Sequence, residues 1–215
     1  SNFLKKKIKK IVKNNNFNEF KELIKKKNFN NYWFLNNFNL FEFFLSEKKN
    51  TNFKYLEVGS YEGMSALYIA HFYKNSEVHC IDMWKNTDNT LTKLTSDMDK
   101  IEKNFDNNLM DYKIFKVKSD SLNALKKYQN NKEVFDCIYI DGSHDGLDIF
   151  SDAIESFKIL KKNGILIFDD IDISENAKNF SQFEAIDAFK KMYNKKIKFL
   201  FFKRVVFIKK IENEI

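Results

Sequence analysis

One stretch constrains this chain more than any other. From Phe53 it reads FKYLEVGSYEGM, and it holds two of the only five glycines in 215 residues. Tyr55, Leu56 and Val58 give a short apolar strand, Gly59 to Gly63 a glycine-punctuated turn, and Ser65 to Phe72 a helix-forming run. Strand, glycine turn and helix in that order form the opening unit of an open α/β sheet, the layout in which such sheets hold nucleotides. A lone unit cannot bury both faces of its strand, so further strands and helices must follow.

The rest of the chain supplies them. Strands are expected at Lys54 to Val58, Glu77 to Asp82, Tyr112 to Lys118, Phe135 to Ile140, Gly164 to Phe168, Ile197 to Phe202 and Val205 to Lys209. Helices are expected between them at Ser65 to Phe72, Leu91 to Asn108, Ser121 to Gln129, Leu147 to Leu160 and Phe183 to Tyr193. Such alternation predicts an α/β fold: a doubly wound, mostly parallel seven-stranded sheet with helices on both faces. Only Lys203 and Arg204 separate the last two strands, too few for a crossover, so the last strand must run antiparallel. Ahead of this body, residues 1–52 read as an N-terminal helical extension, with 53–215 as the single domain it joins. Apolar spacing at Leu4, Ile8, Ile11 and Val12, then Phe17, Phe20, Leu23 and Ile24, predicts two short amphipathic helices broken at Asn14 to Asn16. Trp33, Phe34, Phe38, Phe41, Phe44 and Leu45 are too aromatic for a solvent-facing helix and are expected to pack on the body, with a share in roofing a pocket.

Charge is distributed unevenly. The net +7 comes from residues 1–54, where 13 Lys and 4 Glu give +9, while the remainder, with 24 basic and 26 acidic residues, carries −2. Arg204 is the sole arginine and proline is absent, the signature of a lysine- and asparagine-favouring composition. Nucleic-acid sites recruit arginine for bidentate contacts, so the lysines read as a solvated helical face. No apolar run approaches the roughly 18 residues of a membrane span, and the start lacks the apolar core of a secretion signal. Cys80 and Cys137 sit in apolar strands without metal-ligand spacing, which suits reduced thiols and a cytoplasmic location.

In so glycine-poor a chain, Gly59, Gly63, Gly142 and Gly146 mark places where a side chain does not fit, and they flank the ends of the first and fourth strands. Gly164 reads instead as a helix C-cap. The first loop, GSYEG, lacks the middle glycine of a dinucleotide turn and carries Glu57 and Glu62. Those acids repel phosphate and attract a cation, which points to S-adenosylmethionine. Asp82 is placed for ribose hydroxyls, with Met83 and Trp84 beside the adenine.

Here the chain resembles the class I S-adenosylmethionine-dependent methyltransferases, whose sheet is Rossmann-like. The likeness spans roughly residues 53 to 210 and is carried by LEVGSYEGMS, HCIDMW, KSDSLNAL, FDCIYIDGSHDG and LKKNGILIFDD. YIDGSH looks like a branch of small bacterial O-methyltransferases related to the catechol and caffeoyl-CoA type. The resemblance implies that Glu57, Gly59, Ser60, Tyr61, Gly63 and Ser65 line the methionine end of the cofactor, Asp82 its ribose, and Ser119 and Asp120 its adenine. Ser65, Asp120 and Ser121 are equally readable as helix caps.

Asp141 ends the fourth strand, and Asp169 and Asp170 end the fifth. A right-handed crossover between neighbouring strands brings these carboxylates roughly 5 to 10 Å apart, close enough to share a proton or a hard divalent ion such as Mg²⁺. In metal-dependent relatives this pair of strand ends holds the ion that binds the acceptor hydroxyl. Asp141, beside the cofactor, and His144, as general base, are the expected catalytic residues; His144 also reads as a plain turn residue, and the two later acids as caps. The expected function is metal-assisted O-methylation of a small hydroxylated metabolite or sugar. The competing readings are a nucleic-acid methyltransferase using the basic N-terminus and a non-catalytic interaction module. No membrane partner is expected; the aromatic extension and the C-terminal hairpin each offer a surface for a homodimer.

Overall fold

The computed structural model describes residues 15–85, 97–131, 134–171 and 181–212. The extension contains helices α1 (Asn15–Ile24) and α2 (Phe38–Leu45), with a 3₁₀ turn at Trp33–Asn36 between them. There follow β1 (Phe53–Val58), α3 (Met64–Phe72), β2 (Ser76–Asp82), α4 (Met98–Leu109), β3 (Ile114–Lys118), α5 (Ser121–Tyr128), β4 (Phe135–Ile140), α6 (Gly146–Ile159), β5 (Leu160–Phe168), α7 (Gln182–Tyr193), β6 (Ile197–Phe202) and β7 (Val206–Lys210).

The sheet has the order β3-β2-β1-β4-β5-β7-β6. Neighbours are parallel except at β7, which runs antiparallel to both β5 and β6. The chain winds outward from β1 through β2 to β3, then returns to build the other half from β4. That reversal opens a crevice between β1 and β4 at the carboxyl ends of the strands. Val58 pairs with both Ile81 and Ile140, so the loops after β1, β2 and β4 leave the sheet side by side.

Period-two alternation divides the core between the faces. Phe53 and Tyr55 of β1 join the cluster covered by the extension, α3 and α4, whereas Leu56 and Val58 join the one covered by α5, α6 and α7. The extension has no separate core among the described residues: Phe41 meets Tyr139 at 5.2 Å and Phe207 at 5.9 Å between ring centroids. Each such pair adds about 0.5–1.5 kcal/mol beyond burial. Glu42, buried under this layer, accepts from Lys49 Nζ at 2.5 Å and Tyr68 Oη at 2.6 Å, so its charge is paired where it lies.

Three expectations shift. Asn15 and Asn16, expected in a break, are helical, with Asn16 Nδ2 donating to Glu42 Oε2 at 3.2 Å; positions 4 to 12 lie outside the described residues. The helix expected from Leu91 is described from Met98, after Asp97 accepts from Lys100 N at 3.1 Å, and 91–96 fall outside. Gly164 is no C-cap: β5 already starts at Leu160, and the left-handed residue is Asn163 with φ 66°. Glycine is needed next to it because a Cβ there would lie 2.8 Å from both Leu160 Cδ1 and Lys161 O. Cys80 and Cys137 are buried free thiols, held well above their usual pKa by that burial. No described helix is long and apolar enough to cross a membrane.

Candidate active site

At the switch point two loops touch through their backbones. Gly59 N donates to Ile81 O and Asp141 N to Val58 O, both at 2.8 Å. Gly59 has φ +86°, and a Cβ on it would sit 2.2 Å from Asp141 O. Gly142 on the opposing loop is not so confined, its nearest neighbour being Val58 Cγ1 at 3.5 Å.

Asp82 fastens the loops after β1 and β2 together. Its Oδ2 accepts from Tyr61 N at 2.8 Å and its Oδ1 from Trp84 N at 2.7 Å, while Trp84 Nε1 donates to Tyr61 O at 2.9 Å. Both partners are non-glycine residues in the left-handed region, Tyr61 at φ 47° and Trp84 at φ 42°, a conformation costing roughly 1–3 kcal/mol each that persists only where contacts impose it. Burial raises the pKa of Asp82, opposed by these backbone donors. The backbone N–H groups of Met83 and Ser60 also favour the carboxylate, which lines the cavity.

The crevice is a cavity of about 780 Å³, within the range of small-molecule sites. Of the expected cofactor residues, Gly59, Tyr61, Asp82, Met83, Ser119, Asp120 and Asp141 line it. Glu57, Ser60, Gly63, Ser65 and Trp84 do not, and each has a reason. Glu57 is fully buried behind the loop, accepting from Tyr55 Oη at 3.0 Å and Ser65 Oγ at 2.8 Å, and burial pushes its pKa up to about 7. Ser65 is thereby spent on Glu57, and Ser60 is buried beside it. Gly63, at φ +80°, opens α3 where a Cβ would meet Leu109 Cδ1 at 2.7 Å. Trp84 turns its ring onto Phe105, 4.8 Å between centroids, so it clasps the loops rather than lying beside the cavity.

Glu62 corrects the charge argument drawn from the first loop. It is buried away from the cavity and accepts from Asn30 N at 2.8 Å, Asn30 Nδ2 at 2.6 Å and Asn104 Nδ2 at 2.8 Å, tying the extension and α4 to the loop. The acids facing the cavity are others: Asp82, Asp120, Asp141, Asp148, Asp152, Asp169 and Asp170, against Lys85 and Arg204. The electrostatic conclusion survives on different residues. This wall favours a cationic ligand and repels phosphate.

Asp120 serves as both wall and cap, accepting from Asn123 N at 2.9 Å and Asn123 Nδ2 at 2.7 Å, which lowers its pKa. His144 also lines the cavity, with Nδ1 at 3.1 Å from Gln182 Nε2 of α7, while the helix cap next to it is Asp145, accepting from Leu147 N at 2.8 Å.

The strand-end acids are arranged two and one. Tyr139 Oη lies 3.0 Å from Asp141 Oδ2 and also bonds Asp169 Oδ2, which accepts from Asn37 Nδ2 at 2.5 Å. One hydroxyl proton cannot fully serve two carboxylates, so the two acids compete for it. Burial raises Asp141 well above the usual carboxylate range, with the charges of Asp169 and Asp170 adding to it; burial likewise raises Asp169. Asp170, at φ 52°, is drawn off by Arg204, whose Nε donates to its Oδ1 at 2.7 Å, while Ile171 N donates to Arg204 O at 2.8 Å. Among the described residues no three acidic, histidine or cysteine side chains converge as a ready metal-ligand set.

Several wall residues escape sequence reasoning. Asn37 is one asparagine among many; Trp33, 55% exposed over the Tyr61 ring at 5.2 Å, belongs to the segment expected to pack on the body with a share in roofing a pocket, and it lines the cavity. Arg204 carried a usable signal as the only arginine. So did Asp152, an acid on the buried stripe Ile149, Ala153, Ser156 and Phe157 of α6.

Comparison with known proteins gives a family match: a methyltransferase-domain model fits residues 56–171. No curated protein matches the sequence. Among solved structures, the chain is similar to MycE methyltransferase of the mycinamycin biosynthetic pathway, in complex with Mg, SAH and mycinamycin VI, at TM-score 0.62 and 14% identity over 91% of this chain and 54% of that one. It thus spans about half of MycE's length. A Klebsiella pneumoniae protein provisionally assigned as an O-methyltransferase aligns at TM-score 0.63 and 10% identity, covering 92% of this chain and 90% of that one. A Staphylococcus aureus protein with a provisional caffeoyl-CoA O-methyltransferase assignment gives TM-score 0.59 and 16% identity over 91% and 92%. At these identities the likeness speaks for the fold.

Proposed function

Because the chain belongs to the methyltransferase-domain family and has the class I fold of S-adenosylmethionine-dependent methyltransferases, we propose that it methylates an oxygen of a small hydroxylated acceptor, a metabolite or sugar. The observation that carries the acceptor reading is the proton-sharing set Asp141, Tyr139 and Asp169 beside His144 on one cavity wall. An alcohol or phenol must lose its proton as it attacks a methyl carbon, and this wall is built to take one.

S-Adenosylmethionine, when bound, supplies a methyl group activated by its sulfonium. The residues present fit it: an acid-rich wall would face the cation, and Asp82 on that wall would accept from ribose hydroxyls. In such a transfer the proton of the acceptor hydroxyl would pass to His144, which lines the same wall as Asp141 and Asp169. Gln182 Nε2 lies 3.1 Å from His144 Nδ1; an amide flip that sets its oxygen against Nδ1–H would leave Nε2 as the base.

A divalent cation is part of the proposal. The donors are all hard oxygens, and the repulsion among Asp141, Asp169 and Asp170 is the charge excess a cation relieves. Asp141 and Asp169 would hold it, joined by Asp170 on leaving Arg204, and it would lower the pKa of the acceptor hydroxyl. Calorimetry with S-adenosylmethionine, S-adenosylhomocysteine and NAD tests the donor: both sulfur compounds bind and NAD does not, whereas binding of NAD alone overturns the reading. Full methyl transfer in excess chelator overturns the cation.

A further inference from the structure

One group on the cavity wall has no part in that chemistry. Asp152 of α6 lines the cavity, is 2% exposed, and its Oδ1 finds no hydrogen-bond partner among the described residues. Its nearest polar company is the Ser121 hydroxyl at the start of α5, with the carboxylates of Asp148 and Asp120 close enough to oppose its ionisation. A buried acceptor left empty costs about 1–3 kcal/mol, which a ligand N–H would return. Asp120, the acid nearest the end of β3, caps α5 and holds Asn123 through both oxygens, whereas Asp152 Oδ1 has no partner among the described residues.

We propose that Asp152 is a specificity residue that reads the amino-purine edge of the methyl donor, selecting adenine over hypoxanthine. The inference rests on the donor assigned above. Asp82 sits at the end of β2 for the ribose, and Ser119 to Leu122 wall the cavity where the base would follow, on the side of α5 that Asp152 faces. Burial first, and then Asp148 and Asp120, push the Asp152 pKa up to about 7, so a neutral carboxyl is populated there. A neutral carboxyl presents one acceptor and one O–H donor. Adenine presents the complement, a 6-amino donor beside the N1 acceptor. Hypoxanthine reverses both, with a 6-oxo acceptor beside an N1–H donor. With its donor turned to the base by Ser121, Asp152 pairs with adenine in two bonds.

The test compares calorimetric affinities for S-adenosylhomocysteine and its inosine counterpart. The wild-type protein is expected to prefer the adenine compound by about tenfold or more. Asp152→Leu, near in volume, abolishes the preference by weakening the adenine compound alone, while Asp152→Asn, which keeps one acceptor and one donor, retains it. Equal binding of the two compounds by the wild-type protein overturns the proposal without any variant. An undiminished preference in Asp152→Leu also overturns it, and would leave Asp152 as a tie between α5 and α6, seen only in a lowered melting temperature. Failure of the wild-type protein to bind either compound is a different result, which overturns the methyl-donor reading together with this one.

Discussion

Gly59 and Gly142 face each other across the switch point, yet they should respond to the same substitution in opposite ways. Gly59→Ala places an L side chain at φ +86°, which costs roughly 1–2 kcal/mol. Its Cβ would also lie 2.2 Å from Asp141 O and 2.6 Å from Asp141 C. Those atoms are backbone and cannot rotate aside, so the β1 and β4 loops must part and the bonds Gly59 N to Ile81 O and Asp141 N to Val58 O stretch; overpacking of this kind costs roughly 1–3 kcal/mol more. The sum is about 2–5 kcal/mol. Gly142→Ala puts its Cβ 3.5 Å from Val58 Cγ1 and 3.7 Å from Val58 O, ordinary contact distances, and the change should stay within about 1 kcal/mol. Urea unfolding of the two variants measures the difference, and calorimetry with S-adenosylhomocysteine reports the loop geometry, with affinity lost only in Gly59→Ala. Equal midpoints, or a Gly142 variant weaker than the Gly59 variant, would refute the claim that backbone contact at Gly59 builds the site.

Glu57 makes stability depend on pH. Its folded-state pKa is raised from 4.5 to about 7 by burial, so its contribution is complete below the unfolded value and is lost as pH rises through 7, a swing of about 3 kcal/mol. Glu57→Gln should therefore flatten the profile between pH 4.5 and 7 and raise the urea midpoint at pH 8 relative to wild type; an unchanged slope would show the carboxyl to be ionised throughout. Arg204→Gln should leave stability within about 1 kcal/mol, since the Arg204 side chain is 76% exposed, but it frees Asp170 and should tighten Mg²⁺ binding in calorimetry. Weaker Mg²⁺ binding would contradict the competition between guanidinium and ion. Glu62→Ala strands the buried amide of Asn104 and frees Asn30, and should cost about 1–3 kcal/mol, with faster proteolysis around residues 25–32; a neutral effect would deny Glu62 its tethering role.

The element order was legible because it depends on local patterns. Period-two apolar runs such as FDCIYI and glycines at turns survive whatever the chain packs against, and the connection at Lys203 and Arg204 was too short for anything but an antiparallel return. Asp82, Asp141 and Asp169 were legible for a related reason, since a residue at a strand's carboxyl end in such a sheet has few places to go. What failed was the direction in which side chains near those ends point. Glu57 and Glu62 look like cofactor ligands by position, yet one is β1's inward residue and the other turns back to Asn30 and Asn104. Trp84 lies two residues after Asp82, but the left-handed φ that goes with its ring lying on Phe105 is held by Asp82's hydrogen bonds and has no trace in the sequence.

The asparagines of the extension show the same limit from the other side. A composition rich in lysine and asparagine hides the few that matter, because Asn30 and Asn37, like Asn108 of α4 that meets the extension at Asn28, are indistinguishable by type from the other asparagines. Asn37 reaches Asp169, Asn30 holds Glu62, and Asn108 accepts from Asn28 N at 2.7 Å and donates to Glu62 O at 3.0 Å. From the extension, Asn30 grips the loop after β1 and Asn37 grips the acid at the end of β5, on the two sides of the switch point. The extension therefore bridges the cavity's two sides, with Trp33 and Asn37 forming part of its wall. A change in acceptor would be expected to select for changes there, because the residues under β1 and β2 are committed to holding loops that the methyl donor requires.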